Sequence, residues 1–136
     1  MKVVVCLCDR GGMLFNNRRQ SRDRILINNL VEYIDDGALF VNEFSSPLFS
    51  NSDSSVIEVS NPLDEAKEND FVFVENLSLS KHKEKISEMV IYKWNRSYPC
   101  DFFLDVMPSD IGLKLREATE FEGSSHDKIT REVYTP

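Results

Sequence analysis

The residues best suited to chemistry in this sequence are arginines concentrated in one short stretch. Five of the eight arginines lie between residues 10 and 24, where Asp23 is the only acidic residue. This stretch therefore carries a local charge of +4 in a chain whose net charge is −7. A basic patch in an acidic protein can steer a phosphate or carboxylate into place. Arginine suits such anions because its planar guanidinium presents several donors.

We therefore predict an anion site in this stretch, with Arg18, Arg19 and Arg22 as the main donors and a helix N-terminus beneath them. Asp23 and His126 are the candidate acid–base groups, because histidine titrates near neutral pH. The full set of expected ligand-binding residues is Arg10, Asn17, Arg18, Arg19, Arg22, Ser124 and Ser125.

Each of these residues also has a simpler structural interpretation. The arginines can pair with surface carboxylates, and Asp23 can stabilise a helix start through the helix dipole. His126 follows two serines, but adjacent residues on a turn rarely point at one another, so a Ser–His catalytic pair is not expected from these neighbours. Glu43 and Glu75 could hold a divalent cation, although a harmless surface replacement is favoured.

Composition and missing motifs exclude several other classes of function. With 41% apolar and 29% charged residues, the chain is typical of one globular domain spanning residues 1–136. The three cysteines form no CxxC pair and there are only two histidines, so neither a disulfide framework nor a metal site is expected. No GxxxxGK[ST] or GxSxG motif occurs. We expect a cytoplasmic protein without a membrane segment, and the oligomeric state stays open.

The elements that position these residues follow from apolar periodicity. Val3–Leu7 is a continuous apolar run, typical of a central parallel strand covered on both faces. Residues 9–20 should form a long loop leaving its carboxyl end, where open α/β sheets bind ligands. Ser21 is the expected N-cap of a helix that ends near Ile34.

The rest of the chain predicts further strands and short helices, then a hairpin. Val3–Leu7 and Phe71–Val74 should be neighbouring or near-neighbouring parallel strands, and residues 114–134 an antiparallel hairpin. The fold class is therefore α/β, a three-layer αβα arrangement around a mixed, mostly parallel sheet. The other predicted elements are strands at 38–41, 56–59 and 89–94, helices at 60–67 and 81–88, and short segments at 44–49 and 102–104.

This order of elements resembles the dihydrofolate reductase family over nearly the whole chain. Val3–Leu7, Arg10–Gln20 and Asp23 look like the family's first strand, its mobile glycine-containing loop and its substrate-binding acid, although a one-residue shift would place Arg24 there instead. Later matches are Tyr92-Lys93-Trp94-Asn95, Asp101-Phe102-Phe103, Glu120-Phe121 and Ser125-His126.

The cofactor positions depart from the pattern of that family. Where the family has Gly-Arg-x-Thr to meet the dinucleotide phosphate, this chain has Asn42-Glu43-Phe44-Ser45. Where the family has paired glycines near the pyrophosphate, this chain has Glu75-Asn76. A carboxylate facing a dianion is costly, so we expect no cofactor and no NADPH binding in the family's manner.

Three functions stay open on these grounds. The first is a non-reductase binding protein whose arginine-rich loop holds a nucleotide, a phosphate or an RNA end. The second is an enzyme, such as a nuclease or hydrolase, acting on a phosphorylated or nucleic-acid substrate with Asp23 and His126 as acid–base groups. The third is a residual NADPH-dependent reductase.

Overall fold

The computed structural model describes residues 1–49 and 55–136. Within these ranges the strands form a seven-stranded sheet and a smaller three-stranded sheet, and no helix is long and apolar enough to cross a membrane. The strands are β1 (Lys2–Leu7), β2 (Gly12–Phe15), β3 (Arg18–Arg19), β4 (Leu39–Val41), β5 (Val56–Glu58), β6 (Phe71–Phe73), β7 (Glu88–Lys93), β8 (Phe102–Phe103), β9 (Lys114–Phe121) and β10 (Ile129–Thr135). The helices are α1 (Arg24–Ile34) and α2 (Pro62–Glu65), with 3₁₀ turns at Ser46–Phe49, Ser80–Lys85 and Pro108–Ile111.

The large sheet has the strand order β5-β4-β6-β1-β7-β10-β9. Its first five strands run parallel, and β10 and β9 close it as an antiparallel hairpin. Strand β1 pairs directly with β6, with Val3 opposite Val72. The predicted mixed α/β architecture is confirmed, as is the parallel pairing of the two most apolar strands.

The two faces of this sheet carry separate apolar clusters, which explains why β1 is apolar throughout. Val4 packs on the same side as α1, whose residues Leu26 and Leu30 are buried there. Val3 and Val5 pack on the opposite side, where α2 contributes Leu63. Because side chains alternate along a strand, a strand covered on both faces needs apolar residues at every position.

The stretch predicted as a loop at residues 9–20 contains a short hairpin instead. Strands β2 and β3 pair across a two-residue turn, and β8 adds a third strand. Asn16 and Asn17 have φ angles of 51° and 61°, the positive values that a type I′ turn requires. Their tolerance of this conformation is visible in the sequence, but the short, charged strand β3 has no strand-like pattern, which is why the pairing was missed.

The first helix begins later than predicted, because Asp23 and not Ser21 is its N-cap. The Asp23 carboxylate accepts hydrogen bonds from the backbone N–H groups of Ile25 and Leu26. The helix ends at Ile34 as expected, and Asp35 leaves it with a φ of 50°. Ser21 is therefore free to contact another part of the chain.

Two other predicted helices are shorter in the structure. The helix expected at 60–67 is the single turn of α2, and the one expected at 81–88 is the 3₁₀ turn Ser80–Lys85. The second turn is held at its start by Asp105, which accepts from the backbone N–H groups of Leu79 and Ser80. Glu88 then already belongs to β7, so no room is left for a longer helix.

Candidate functional site

Asp23 and His126 lie together although they are 103 residues apart in the sequence. His126 comes from the turn between β9 and β10, which folds over the start of α1. Its Nδ1 lies 2.9 Å from Oδ2 of Asp23, and both side chains are buried. The structure thus brings together the two predicted acid–base residues.

The Asp23 carboxylate is surrounded by donors. Oδ1 accepts from the backbone N–H groups of Ile25, Leu26 and Ser124, while Oδ2 accepts from the N–H and hydroxyl of Ser125 and from His126. Burial alone would raise the pKa of Asp23, but the hydrogen bonds from His126 and from backbone N–H groups outweigh it and hold this pKa well below its ordinary value. Asp23 is therefore an ionised anchor at neutral pH.

The opposite nitrogen of His126 faces two hydroxyl groups. An ionised Asp23 can only accept, so Nδ1 carries the proton and Nε2 is the acceptor of the neutral ring. Ser21 Oγ lies 2.9 Å from Nε2, and the Tyr98 hydroxyl lies 3.0 Å from it. The ring of Trp94 stacks on the imidazole at 4.5 Å. His126 is held from every side in one orientation.

A narrow pocket lies beside this network at the carboxyl end of β1. Ser21, Asp23 and Trp94 reach it from the His126 side, and Arg22 lies at the same edge. Cys6 also lines it, but burial raises the pKa of that thiol well above its usual value, so it is a poor nucleophile near neutral pH. The other lining residues are Met13, Arg19, Gln20, Leu26, Ile27, Leu48, Phe73 and Glu75.

On the far side of this pocket Arg19 forms an ion pair with Glu75. Arg19 Nε and Nη2 lie 2.9 and 2.8 Å from the two carboxylate oxygens, a two-point pairing. Arg19 also donates to the Phe44 carbonyl and lies over the Phe44 ring. The Ser45 hydroxyl donates to Glu75 at 2.7 Å. Glu75 is thus neutralised from inside the protein.

A second pocket adjoins the first and shares Arg19 and Gln20 with it. Phe15, Asn16 and Arg18 line one side of it and Tyr98 and Pro99 the other. Within residues 1–49 and 55–136 the side chains of Arg18 and Arg22 have no hydrogen-bond or ion-pair partner, unlike that of Arg19. One unpaired guanidinium therefore stands at each of two neighbouring pockets.

The other predicted ligand-binding residues have different positions. Arg10 and Asn17 are exposed and line neither of these two pockets. Ser124 and Ser125 use their N–H groups, and Ser125 its hydroxyl, to hold Asp23 and His126. These serines position the acid–base pair from within the turn.

Two details of the predicted anion site need correction. The N-terminal N–H groups of α1 do not lie open beneath the arginines, because the Asp23 carboxylate occupies them. Arg19 is not a free donor, because Glu75 takes two of its N–H groups. In the part of the chain that the structure describes, Arg18 and Arg22 are the arginines of these two pockets whose side chains have no partner.

The edge of the sheet at the ends of β4, β5 and β6 carries a third, wider opening. It is lined by Glu43 and Glu58, both exposed, and by Asn42, whose side chain donates to Asn76. Glu75 turns away from this opening toward Arg19. In the described part of the chain no group of three or more His, Cys, Asp or Glu side chains could hold a metal ion.

The sequence did not identify three members of the site. Local capping rules indicate only a helix cap at Ser21, no sequence pattern points to Tyr98, and the sequence offers Glu75 no partner. A usable signal existed for Glu75, because it follows a strand adjacent to β1, and β1 leads into the arginine-rich stretch.

An αβα sheet closed by an antiparallel hairpin, with a pocket lined by residues of β1 and α1, defines the class of fold. No protein-family model and no curated protein matches the sequence. Among solved structures, a dihydrofolate reductase from Enterococcus faecalis, complexed with NADP(H) and RAB-propyl, superposes with a TM-score of 0.66. The match has 8% identity and covers 98% of this chain and 94% of the other. The fold is that of dihydrofolate reductase, as the sequence resemblance predicted.

Proposed function

We propose that this protein is not a reductase but binds an anionic ligand, such as a nucleotide, a phosphate or an RNA end, between Arg18 and Arg22. The observation that carries the proposal is that these two exposed cations, at adjoining pockets, have no side-chain partner among residues 1–49 and 55–136, in a chain with a net charge of −7. An acidic protein has many carboxylates available for surface pairing. Leaving two arginines unpaired beside concave surfaces favours an external anion.

The test is to replace Arg18 and Arg22 with glutamine, singly and together, and to titrate nucleotides and a short 5′-phosphorylated RNA at two salt concentrations. Each substitution should cost about 1–3 kcal/mol of binding free energy and flatten the salt dependence. Arg10→Gln is the matched control, because it removes the same charge from the same stretch outside both pockets. Equal losses of affinity in Arg18→Gln, Arg22→Gln and Arg10→Gln would indicate only a general charge effect and would contradict the proposal.

The proposed absence of reductase function rests on the opening at the ends of β4, β5 and β6. Glu43 stands where the pattern of the resembled family supplies an arginine to the dinucleotide phosphate, and Glu58 adds a second negative charge to the same surface. Titration with NADPH, followed by its fluorescence, should give no saturable binding at micromolar concentration. Saturable binding together with oxidation of NADPH by dihydrofolate would establish the residual reductase instead.

A second function, an enzyme acting on a phosphorylated or nucleic-acid substrate, is favoured by the buried contact between Asp23 and His126. An anchored histidine whose Nε2 faces a pocket-lining residue is placed for proton transfer. Hydrolysis of the bound anion, followed over time, separates an enzyme from a binding protein. His126→Gln should then lower the rate about 100-fold or more while the dissociation constant of the anion stays within about threefold.

We also propose a cytoplasmic location, because Cys6, Cys8 and Cys100 are free thiols.

A further inference from the structure

We propose that Ser21 is a nucleophile activated by His126 and Asp23, and that it acts on a carboxylic ester whose anionic group, such as a phosphate, lies at the exposed side chain of Arg22. The requirement for an anionic group rests on the proposed anion binding. The nucleophile itself rests on separate observations, namely the hydrogen bonds of Ser21 and His126 and the position of Ser21 at the pocket.

The first of these observations is the order of atoms along the hydrogen-bonded chain. Asp23 Oδ2 contacts His126 Nδ1 at 2.9 Å, and His126 Nε2 contacts Ser21 Oγ at 2.9 Å. The carboxylate fixes the ring tautomer, so Nε2 can accept the proton of the serine hydroxyl. This is the arrangement that activates a serine in acyl transfer, and it recurs on unrelated folds.

The second observation is access. Asp23 and His126 are buried, whereas Ser21 is only partly buried and lines the pocket together with Arg22. The cavity holds only about 20 Å³, so the reacting carbonyl group alone, and not the whole substrate, would enter it beside Ser21. The side chains of Asp23 and His126 behind the serine stay shielded from water. Ser125 offers a contrast, because its hydroxyl contacts the Nδ1 side of the same histidine at 3.3 Å and is absent from the pocket lining.

The reaction balances with water as the only co-reactant. Ser21 Oγ bonds to the carbonyl carbon as its proton passes to His126 Nε2, and the leaving alcohol takes that proton as its C–O bond breaks. Water then attacks the acyl-serine, giving a proton to Nε2. Ser21 recovers this proton as the acid is released. Arg22, unpaired at the same pocket, is the cation available to the negative charge on the substrate.

The test uses a fluorophosphonate probe, which reacts with an activated serine and loses fluoride. Mass spectrometry of the full-length protein should show one adduct, mapped to Ser21 and absent in Ser21→Ala. His126→Gln should slow labelling about 100-fold or more. Ser109→Ala, which changes an exposed serine in the 3₁₀ turn Pro108–Ile111, should label at the rate of the unmodified protein. Tyr98→Phe should retain labelling because Nε2 then keeps Ser21 as its hydroxyl partner.

No adduct, an adduct on Tyr98, or equal labelling rates with and without His126 would overturn the inference. Thermal unfolding of each variant confirms that it is folded before its labelling is compared. Ser21→Ala should still bind the anions titrated above. If labelling fails but anion binding is intact, only the proposal that Ser21 is a nucleophile is wrong. If anion affinity does not depend on Arg18 and Arg22, the proposed binding function is wrong.

Discussion

Replacing Asp23 is expected to be among the most destabilising changes near the site. Its two carboxylate oxygens accept from different donors. Oδ1 caps α1 and accepts from the N–H of Ser124, whereas Oδ2 accepts from the N–H of Ser125 and from His126 Nδ1. Asp23→Ala removes both sets and leaves buried donors without acceptors. Asp23→Asn keeps an oxygen acceptor for the N–H groups that bond to Oδ1, but it places an NH₂ group against the donors that bond to Oδ2.

The expected magnitude follows from these two sets of hydrogen bonds. Leaving buried donors without an acceptor typically costs about 1–3 kcal/mol, and more where the lost acceptor is charged, while loss of a helix cap costs about 1 kcal/mol. We therefore expect Asp23→Ala to lower the free energy of unfolding by about 4 kcal/mol. Asp23→Asn should cost roughly 1 kcal/mol less, because it keeps the cap.

Urea unfolding measures this directly, because the single tryptophan, Trp94, stacks on His126 and reports on the same region. The matched control is Asp36→Asn, an exposed carboxylate beyond the end of α1, which should change stability by less than about 0.5 kcal/mol. A cost below about 1 kcal/mol for Asp23→Ala would refute the interpretation of Asp23 as the anchor of this network.

Three further predictions concern neighbouring features. The pKa of Asp23 in the folded protein lies below its ordinary value of 3.8, so the contribution of Asp23 to stability is present above that pH and is lost as the pH falls below it. Acid unfolding should therefore be steeper in the unmodified protein than in Asp23→Asn. Gly123→Ala should lower the free energy of unfolding in urea by about 1–3 kcal/mol, because an added Cβ would lie 2.8 Å from Asp23 Cγ. Glu122→Ala, at the exposed neighbouring residue, should leave this free energy nearly unchanged. A double-mutant cycle on Arg19 and Glu75 should give a coupling of about 1–3 kcal/mol, against less than about 1 kcal/mol for the exposed pair Lys128 and Glu120.

Much of the fold was predictable because burial on both faces leaves a strong pattern. The runs at β1 and β6 are apolar at every position, and the late change to alternation marks the β9–β10 hairpin. The β2–β3 hairpin was not predictable in this way. Its second strand, β3, consists of two arginines, and the pairing of β2 with β3 depends on the turn at Asn16 and Asn17. The backbone N–H of Asn16 donates to the carboxylate of Asp101.

The site was predictable by residue type but not by contact. Asp23 and His126 were selected because their types and positions suited acid–base chemistry, and the long-range fold of the β9–β10 turn joins them. Ser21 was misassigned because local capping rules favour a serine before a helix, and they cannot weigh a competing partner 105 residues away. A contact of this range is set by sheet topology, which local patterns do not contain.

The ion pair between Arg19 and Glu75 joins two residues that lie 56 positions apart in the sequence. Each neutralises the charge of the other at the pocket. Changing Glu75 alone would leave Arg19 unpaired beside the pocket, and changing Arg19 alone would leave a buried carboxylate held only by Ser45. Each residue therefore stabilises the other in its place, so changing both together should cost less than the sum of the two single changes.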